Sequence, residues 1–414
     1  MALQRERSIR SRRTRSLSAV TRILLLVILA VLVSRLASAQ DVGGATTTNP
    51  SDAPTIRVGG TIYADYTYQQ SPAITDADGN TVKLNQFNIG RAYINVVGQI
   101  SHLISFRITP DITRQGGTAD NLNGSLVFRL KYTYVQFNLD DWMTKGSWGQ
   151  FGIQKTPWVA FYEDIYRYRF QGTTFTERET SPTGTNLLSS ADGGASFHYN
   201  FPGNYGDVHV GVYNGEFYFK PEANQLKAFQ VRASGRPFAA GPAALKGLRG
   251  HIVYISDGYV ENGDRNRLIG SVTIEHPFLH AGYDYISTHD QTSATKAAEL
   301  HGQGWSTWFT PRSKIGLEAL LRWDHFTPMD GCAAPAASPA LCPSTVIANG
   351  VPVAPNSQVR QRTIIGGAYW FPHKDDARVG SALLVDYDGY TFDNFDAKAF
   401  PKQKKYEIHW LVNW

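Results

Sequence analysis

Hydrophobic and polar residues alternate along most of the chain from residue 56 onward. In the segment 56–68, Ile56 and Val58 fall on one face, whereas Arg57 and Asp65 fall on the other. The same period of two recurs in three further clear segments, 104–109, 314–324 and 405–414. A period of two with one apolar and one polar face predicts β-strands that lie between two different surroundings.

Sixteen segments of this kind are predicted as strands. Most are longer than the ~5 to 6 residues usual in soluble sheets, and they suit the ~9 to 11 residues of a tilted membrane strand. The predicted strands are 56–68, 84–98, 101–111, 125–139, 147–158, 192–201, 205–215, 226–238, 247–257, 267–277, 279–289, 298–310, 313–326, 360–371, 378–390 and 403–414.

The connections between these strands alternate in length. Odd-numbered connections have 8 to 33 residues, whereas even-numbered connections have 1 to 8 residues. Short turns at one end and long loops at the other are typical of outer-membrane barrels. We therefore predict an all-β fold, a transmembrane antiparallel up-and-down β-barrel of about 16 strands over residues 56–414. Residues 327–359 form a long external loop in this prediction.

The charges of the clearest segments lie on one face only. The polar faces carry charged residues such as Arg107, Glu318, Arg322 and Asp324, and the opposite faces carry none. A strand in hydrocarbon must pair all its backbone groups, so the sheet has to close, and its lipid-facing side chains must be uncharged. Sixteen strands enclose a lumen too wide for side chains to fill. The sequence therefore predicts a water-filled channel lined by the charged faces.

The N-terminal segment has the order of a secretory signal. Residues 1–39 hold eight Arg and one acid, an 11-residue apolar stretch at 23–33, and the small residues Ala37-Ser38-Ala39. Eleven residues span only ~16 Å as a helix, so a membrane anchor is the weaker alternative. We predict a cleaved signal peptide at 1–39, a flexible periplasmic linker at 40–55, and export to a Gram-negative outer membrane.

Composition and motifs exclude several classes of function. Beyond residue 39 the chain holds 32 basic and 34 acidic residues, which gives no reason to expect nucleic acid binding. The chain has no H-E-x-x-H, G-x-S-x-G, P-loop or C-x-x-C motif. We therefore expect no enzymatic activity, no cofactor and no metal. Cys332 and Cys342, the only cysteines, are predicted to form a disulfide, since a metal site would need more ligands nearby.

Several segments resemble the phosphate-selective porin O and P family. The segment 149–158 (GQFGIQKTPW) is similar to a strand end of that family, and 205–216 and 227–238 are similar to two of its later strands. Shorter likenesses follow at 321–324, 363–372 and 384–387, in the same order as in the family. The resemblance is collinear over 56–414.

This resemblance implies a sixteen-stranded, usually trimeric porin whose third long loop folds inward and narrows the pore. Residues 159–191 match that loop by place and length, and they contain Arg167, Arg169 and Arg178. In some members, rows of basic residues in the lumen select anions. The basic residues that match by strand position here are Arg91, Arg107, Lys155, Arg232 and Arg322. Because acids such as Glu318 and Asp324 share these faces, we expect at most a mild, phosphate-like anion preference.

The leading hypothesis is a porin for the passive diffusion of small hydrophilic solutes or ions. Its expected partners are outer-membrane lipid, these solutes or anions, two further copies in a homotrimer, and the machinery that assembles outer-membrane barrels. A C-terminal assembly signal is expected in the last strand, at Tyr406, Ile408, Trp410, Val412 and Trp414. Two alternatives stay open at this point: a secreted β-sandwich that binds glycans, and an outer-membrane barrel enzyme.

Overall fold

A computed structural model describes residues 54–117, 121–182, 184–260, 263–291, 298–334, 342–371 and 380–414. The predicted signal peptide at 1–39 and nearly all of the predicted linker at 40–55 lie outside the described residues. Among the described residues, no helix is long and apolar enough to span a membrane.

Sixteen strands form one closed antiparallel barrel, in which each strand pairs with its neighbours in sequence and the first pairs with the last. The alternating pattern therefore predicts the fold correctly, and the β-sandwich alternative is wrong because a single closed sheet replaces two packed sheets. The barrel strands are β1 Thr55–Ser71, β4 Asn85–Gln99, β5 Ile104–Arg114, β6 Leu126–Asn138, β7 Trp148–Lys155, β8 Ala191–Asn200, β9 Gly206–Tyr213, β10 Ala228–Gly235, β11 Leu248–Val260, β12 Gly263–His276, β13 Leu279–Gln291, β14 Glu299–Pro311, β15 Leu317–Ala333, β18 Val359–Phe371, β19 Gly380–Asp393 and β20 Gln403–Asn413.

Two small hairpins lie outside the barrel sheet, in long connections. One is β2 Ile74–Thr75 with β3 Thr81–Val82, and the other is β16 Val346–Ala348 with β17 Val351–Val353. The connections also contain two single turns of 3-10 helix, Pro202–Asn204 and Pro355–Ser357.

The outward face of the barrel is apolar. Ile56, Phe87 and Phe151 are 68%, 86% and 74% exposed, and they occupy outward positions of β1, β4 and β7. Burial in lipid rather than in a protein core explains such exposure, because an outer-membrane barrel carries a band of apolar side chains on its outer surface.

Each predicted strand corresponds to an observed one, but several extend further than the alternation does. β15 continues to Ala333, so the following connection starts later than the predicted 327. β11 and β12 leave two residues between them where the pattern predicts nine. In both places the backbone still pairs with a neighbouring strand, Cys332 with Leu300 and Val260 with Gly263, although the apolar alternation has ended.

The longest connection, residues 156–190, lies inside the barrel and is called the inner loop below. It contains the helix Val159–Tyr166 and a single helical turn at Phe175–Arg178. The helix ends at Arg167, which adopts a left-handed conformation with φ of 66° and donates its backbone N–H to the carbonyl of Glu163 at 2.9 Å. The inner loop corresponds to the predicted segment 159–191.

Candidate channel and its constriction

The inner loop packs an apolar surface against one half of the barrel wall. Burial of large apolar side chains stabilises this contact by about 1.5–3 kcal/mol for each fully buried one. The loop contributes Trp158, Val159, Tyr162, Ile165, Tyr166, Tyr168, Phe170, Phe175, Leu187 and Leu188, and the wall contributes inward side chains of β11 to β20, namely Val253, Ile255, Ile269, Ile286, Trp308, Leu320, Phe326, Ile364, Ala368, Ala382, Leu384 and Leu411. At these positions the inward face of the wall is therefore covered by protein and not by water.

Four inward arginines of the wall donate hydrogen bonds to backbone carbonyls of the inner loop. They are Arg232 to Pro157 at 2.8 Å, Arg267 to Leu187 at 3.4 Å, Arg322 to Thr173 at 3.0 Å and Arg360 to Thr180 at 3.1 Å. Each of these arginines also pairs with a carboxylate, respectively Asp207, Asp290, Asp324 and Glu179. Hydrogen bonds from a charged donor contribute roughly 1.5–3 kcal/mol each. The sheet thus holds the loop at four places along its length.

Two compartments remain between the inner loop and the part of the wall that the loop leaves uncovered. The larger one, about 410 Å³, includes Gln69, Leu84 and Gln86 in its lining and lies toward the long loops; we call it the long-loop compartment. The smaller one, about 210 Å³, includes Asn95 and Arg107 and lies toward the short turns; we call it the short-turn compartment.

Two residues line both compartments, Tyr63 of β1 and Arg169 of the inner loop. Tyr63 packs edge to face on Tyr93, with ring centroids 6.1 Å apart, and also contacts Phe170 of the loop at 6.3 Å. Arg169 forms ion pairs inside its own loop, with N–O distances of 2.6 Å to Glu163 and 3.4 Å to Glu177. The boundary between the compartments is thus built by one aromatic side chain of the wall and one guanidinium of the loop.

Basic side chains outnumber acidic ones in both compartments. The long-loop compartment has five basic and three acidic lining residues, and the short-turn compartment has four basic and two acidic ones. The basic residues are Arg91, Arg169, Arg178, Arg362 and Lys405 in the first and Arg107, Lys131, Lys155 and Arg169 in the second. This excess contrasts with the near-neutral charge of the chain beyond residue 39.

The loop carboxylate that faces Arg169 lies in an unusual environment. Burial, reinforced by Glu177 and opposed by Arg169, raises the pKa of Glu163 above its ordinary value. Glu163 lines the short-turn compartment. At the boundary of the two compartments, this carboxylate therefore takes up a proton at a higher pH than an exposed glutamate does.

The structure separates the sequence-predicted lumenal residues into two groups. Arg91, Arg107, Lys155, Arg169 and Arg178 line a compartment. Of the others, Arg167 belongs to the inner loop, and Arg232, Glu318 and Arg322 contact it. Asp324 pairs with Arg322 on the wall. Arg167, for example, lies over the ring of Trp370 at 4.3 Å and pairs with Glu318 at 3.4 Å.

Several lining residues are absent from the sequence prediction. Lys131 is buried beside Tyr93, and its Nζ donates to the Tyr93 hydroxyl at 3.2 Å. Its strand has a register shift opposite Thr109 and Pro110, so the simple alternation of β6 does not show that Lys131 faces inward. Lys405 and Arg362 occupy regular inward positions, and strand position alone would have identified both.

A serine and a histidine form a hydrogen bond on the inner wall. Nδ1 of His251 lies 2.9 Å from Oγ of Ser234, and its Nε2 lies 3.0 Å from the hydroxyl of Thr273. The serine and the histidine are buried, and the histidine packs against the rings of Trp158 and Phe161. The hydroxyl of Thr273 therefore lies beside the histidine at the position where a catalytic triad has a carboxylate. The absence of enzymatic activity remains a prediction.

Two further predicted features are the disulfide and the assembly signal. Cys332 of β15 and Cys342 of the following connection are joined by a disulfide, with their Cα atoms 5.6 Å apart. In the predicted assembly signal, Tyr406, Ile408, Trp410 and Trp414 are exposed on the outer surface, next to Val412 of the same strand.

Three solved structures illustrate the same fold. The outer membrane channel DcaP of Acinetobacter baumannii is 12% identical, with 90% of this chain and 100% of that chain covered and a TM-score of 0.53. OmpF of Salmonella typhi, solved with daunomycin, is 10% identical, with 88% and 98% covered and a TM-score of 0.54. The anion-selective porin of Comamonas acidovorans is 9% identical, with 87% and 100% covered and a TM-score of 0.54.

These likenesses show that the chain has the closed sixteen-stranded fold of outer-membrane porins. No protein-family model matches the sequence. No curated protein matches it either. Membership of the phosphate-selective porin O and P family therefore remains a prediction.

Proposed function

We propose that this chain is an outer-membrane porin whose lumen passes small hydrophilic solutes and ions by passive diffusion. The observation that carries the proposal is the pair of polar compartments that meet at Tyr63 and Arg169 inside a closed barrel. A barrel of sixteen strands leaves an aqueous lumen, and charged side chains at its narrow zone set the ion preference. The predicted signal peptide and the barrel fold support placement in the outer membrane, with lipid around the apolar outer surface.

A mild preference for anions is part of the proposal. Its support is the excess of basic over acidic residues in both compartments, on the wall that the inner loop leaves open. Because most of these bases have acidic neighbours, such as Asp111 for Arg91 at 3.7 Å and Asp164 for Lys155 at 3.9 Å, the preference should be small. The anions would include phosphate-like ones. Assembly as a homotrimer and insertion by the barrel assembly machinery belong to the same proposal and rest on the family resemblance.

Planar bilayers test the channel directly. The purified barrel should produce stepwise conductance, and reversal potentials across a salt gradient should show anions about two-fold more permeant than cations. Absence of conductance above the detergent background would contradict the proposal. A reversal potential of the opposite sign would overturn the anion preference alone.

Single cysteines locate the conducting path. Because the two native cysteines are paired in a disulfide, an introduced cysteine is the only free thiol. Asn95 lines the short-turn compartment, whereas its neighbour Ile94 is exposed on the outer face. A bulky charged methanethiosulfonate should lower the conductance of Asn95→Cys and leave that of Ile94→Cys unchanged. The same response from both variants would show that current does not follow the proposed path.

A further inference from the structure

Three carboxylates and one histidine converge on the inward face where the barrel closes. Asp65 belongs to β1, Asp386 to β19, and Glu407 and His409 to β20. In the strand register Asp65 lies opposite His409 and Asp386 lies opposite Glu407, so the sheet itself brings the four side chains together. Asp65, Glu407 and His409 also line the long-loop compartment.

The two nitrogens of His409 face different carboxylates. Nδ1 lies 2.9 Å from Oδ1 of Asp65. Nε2 lies 3.6 Å from Oδ1 of Asp386 and 4.0 Å from Oε2 of Glu407. One ligand atom from each of His409, Asp386 and Glu407 can be chosen so that all three lie within 4.8 Å of one another. Three ligand atoms at this spacing surround a volume suited to one ion.

Asp386 is a buried acid of the inner wall that has no arginine partner within the described part of the chain. Asp111, whose oxygens likewise accept no hydrogen bond, lies 3.7 Å from two arginines. Asp388, two residues further along the same face of β19, accepts two hydrogen bonds from Arg362, at 2.9 and 2.7 Å. The carboxylate of Asp386 is 0% exposed, and within the described part of the chain neither of its oxygens accepts a hydrogen bond. A buried carboxylate is costly unless a cation compensates it. Among the described residues its one ion-pair partner is the imidazole of His409, whose Nε2 lies 3.6 Å from Oδ1, farther than in a hydrogen bond.

The surrounding hydrogen bonds orient the three side chains as ligands. A histidine that binds a metal through one nitrogen usually donates the other N–H to a carboxylate, which fixes the ring and its tautomer. Asp65 is placed to accept that proton from Nδ1. Thr67 donates to Oε1 of Glu407 at 2.8 Å, which leaves Oε2 of this carboxylate directed at the cluster. Nε2 of His409, the carboxylate of Asp386 and Oε2 of Glu407 remain for one shared ion.

We propose that Asp386, Glu407 and His409 bind a divalent first-row transition metal ion of the zinc type, oriented by Asp65 and Thr67. One imidazole and two carboxylates suit Zn²⁺, which takes nitrogen and oxygen ligands in a tetrahedral arrangement. Ca²⁺ prefers six to eight oxygen ligands and Mg²⁺ prefers six, and this cluster does not supply them. A fourth ligand can enter from the long-loop compartment, so the site is open on the side of the channel.

Metal binding has a consequence for ion selectivity, and this step rests on the proposed channel function. A divalent ion in place of a proton on Nε2 raises the formal charge of the cluster by one unit. Because Glu407 and His409 line the compartment, the change acts on ions in the lumen. Zinc should therefore shift the reversal potential toward anions.

The binding test uses the full barrel in detergent, purified without a polyhistidine tag and treated with a chelator. All variants are made in a His301→Ala background, which removes a second possible metal site. That second group consists of His289, Glu299 and His301 on β13 and β14, whose ligand atoms also lie within 4.8 Å of one another. Calorimetric titration with Zn²⁺ should show one ion per chain. His409→Gln and Asp386→Asn should each weaken Zn²⁺ binding at least ten-fold. Asp388→Asn, the matched loss of a carboxylate on the same strand face, should bind Zn²⁺ as the background does.

Folding of every variant is checked by its heat-dependent gel mobility. A measurement that needs no variant at the cluster is X-ray absorption at the zinc edge of the loaded His301→Ala barrel, which should show a single imidazole among oxygen ligands. Absence of Zn²⁺ binding in this background would overturn the proposal, since a proton on His409 would then account for the cluster. Unchanged binding in folded His409→Gln would overturn it as well. These outcomes do not depend on conduction, so failure of the channel proposal is distinguishable from failure of the metal site.

Discussion

Nε of Arg169 lies 2.6 Å from Oε1 of Glu163, so the guanidinium at the boundary of the two compartments is paired within its own loop. Both side chains are largely buried, at 10% and 14% exposure. The inner loop therefore contributes charged side chains to this boundary, and Tyr63, Lys131 and Arg107 of the wall lie around them. Conduction and selectivity should respond most strongly to substitutions at this boundary.

Replacement of Arg169 should reduce the preference for anions. Arg169→Gln removes the one positive charge shared by both compartments and leaves Glu163 and Glu177 without their cation. We expect the anion-to-cation permeability ratio to fall about two-fold, equivalent to ~0.4 kcal/mol. Reversal potentials across a salt gradient measure this ratio.

Arg249→Gln is the matched control for Arg169. Arg249 is an inward arginine that pairs with Glu275 at 2.8 Å, away from the lining of both compartments. Its loss should leave the permeability ratio as in the unmodified protein. Equal effects of the two substitutions would show that the boundary has no special role.

Acidification should increase the preference for anions. Because burial raises the pKa of Glu163, this carboxylate takes up a proton at a higher pH than an exposed glutamate does. Protonation removes a negative charge next to Arg169 and makes the narrow zone more positive. Reversal potentials recorded over a series of decreasing pH values should thus move toward anions as the pH falls.

Two substitutions separate Glu163 from the other titrating groups. Glu163→Gln should at neutral pH have the selectivity that the unmodified protein reaches in acid, and it should lose most of the pH dependence. Asp164→Asn removes the neighbouring, largely exposed carboxylate and should keep the pH dependence. A full pH response in folded Glu163→Gln would show that Glu163 is not the titrating group.

The fold could be predicted from the sequence because alternating apolar and polar residues indicate that the two faces of a strand have different surroundings, lipid on one side and water on the other. The same pattern does not show which part of the inward face meets water. Leu320, Phe326 and Ile364 are inward and fully buried, because the inner loop covers them. Contacts between this loop and strands more than 100 residues away depend on the closed barrel, and no local spacing encodes them.

The predicted lumenal charges illustrate the same limit. Arg107 and Arg322 both occupy the polar face of a strand, and sequence spacing treats them alike. In the structure Arg107 donates to Asn95 at 2.7 Å on the wall of the short-turn compartment. Arg322 is 1% exposed and donates to the inner loop. Only the path of the loop distinguishes the two positions.

Replacement of Arg322 should loosen the inner loop. Arg322→Ala removes the hydrogen bond to Thr173 and leaves Asp324 buried without its cation, which typically costs 3–5 kcal/mol. We expect a larger and noisier single-channel conductance, because the loop can leave its place on the wall. Arg107→Ala should instead lower anion preference without added noise. Quiet single-channel records from folded Arg322→Ala would show that this anchor is dispensable.

The closing seam of the barrel depends on a glycine that makes room for the last residue. The backbones of Gly60 and Trp414 exchange hydrogen bonds of 3.2 and 3.1 Å, and the indole ring of Trp414 covers the outer side of Gly60. A Cβ added at Gly60 would lie 2.1 Å from this ring, and the three atoms nearest to it all belong to the Trp414 side chain. Gly60→Val should therefore destabilise the barrel by about 1–3 kcal/mol, the usual cost of overpacking.

Because one side chain causes the conflict, its removal should restore the barrel. Gly60→Val should cost little in a Trp414→Ala background, so the two substitutions should show a coupling of ~1 kcal/mol or more in a double-mutant cycle. Urea unfolding in detergent micelles and heat-dependent gel mobility measure the stabilities. Gly270→Val, at a position in β12 where an added Cβ meets nothing within 4 Å, is the matched control and should be neutral. Additive effects of Gly60→Val and Trp414→Ala would show that the ring moves aside freely and that the seam does not depend on this contact.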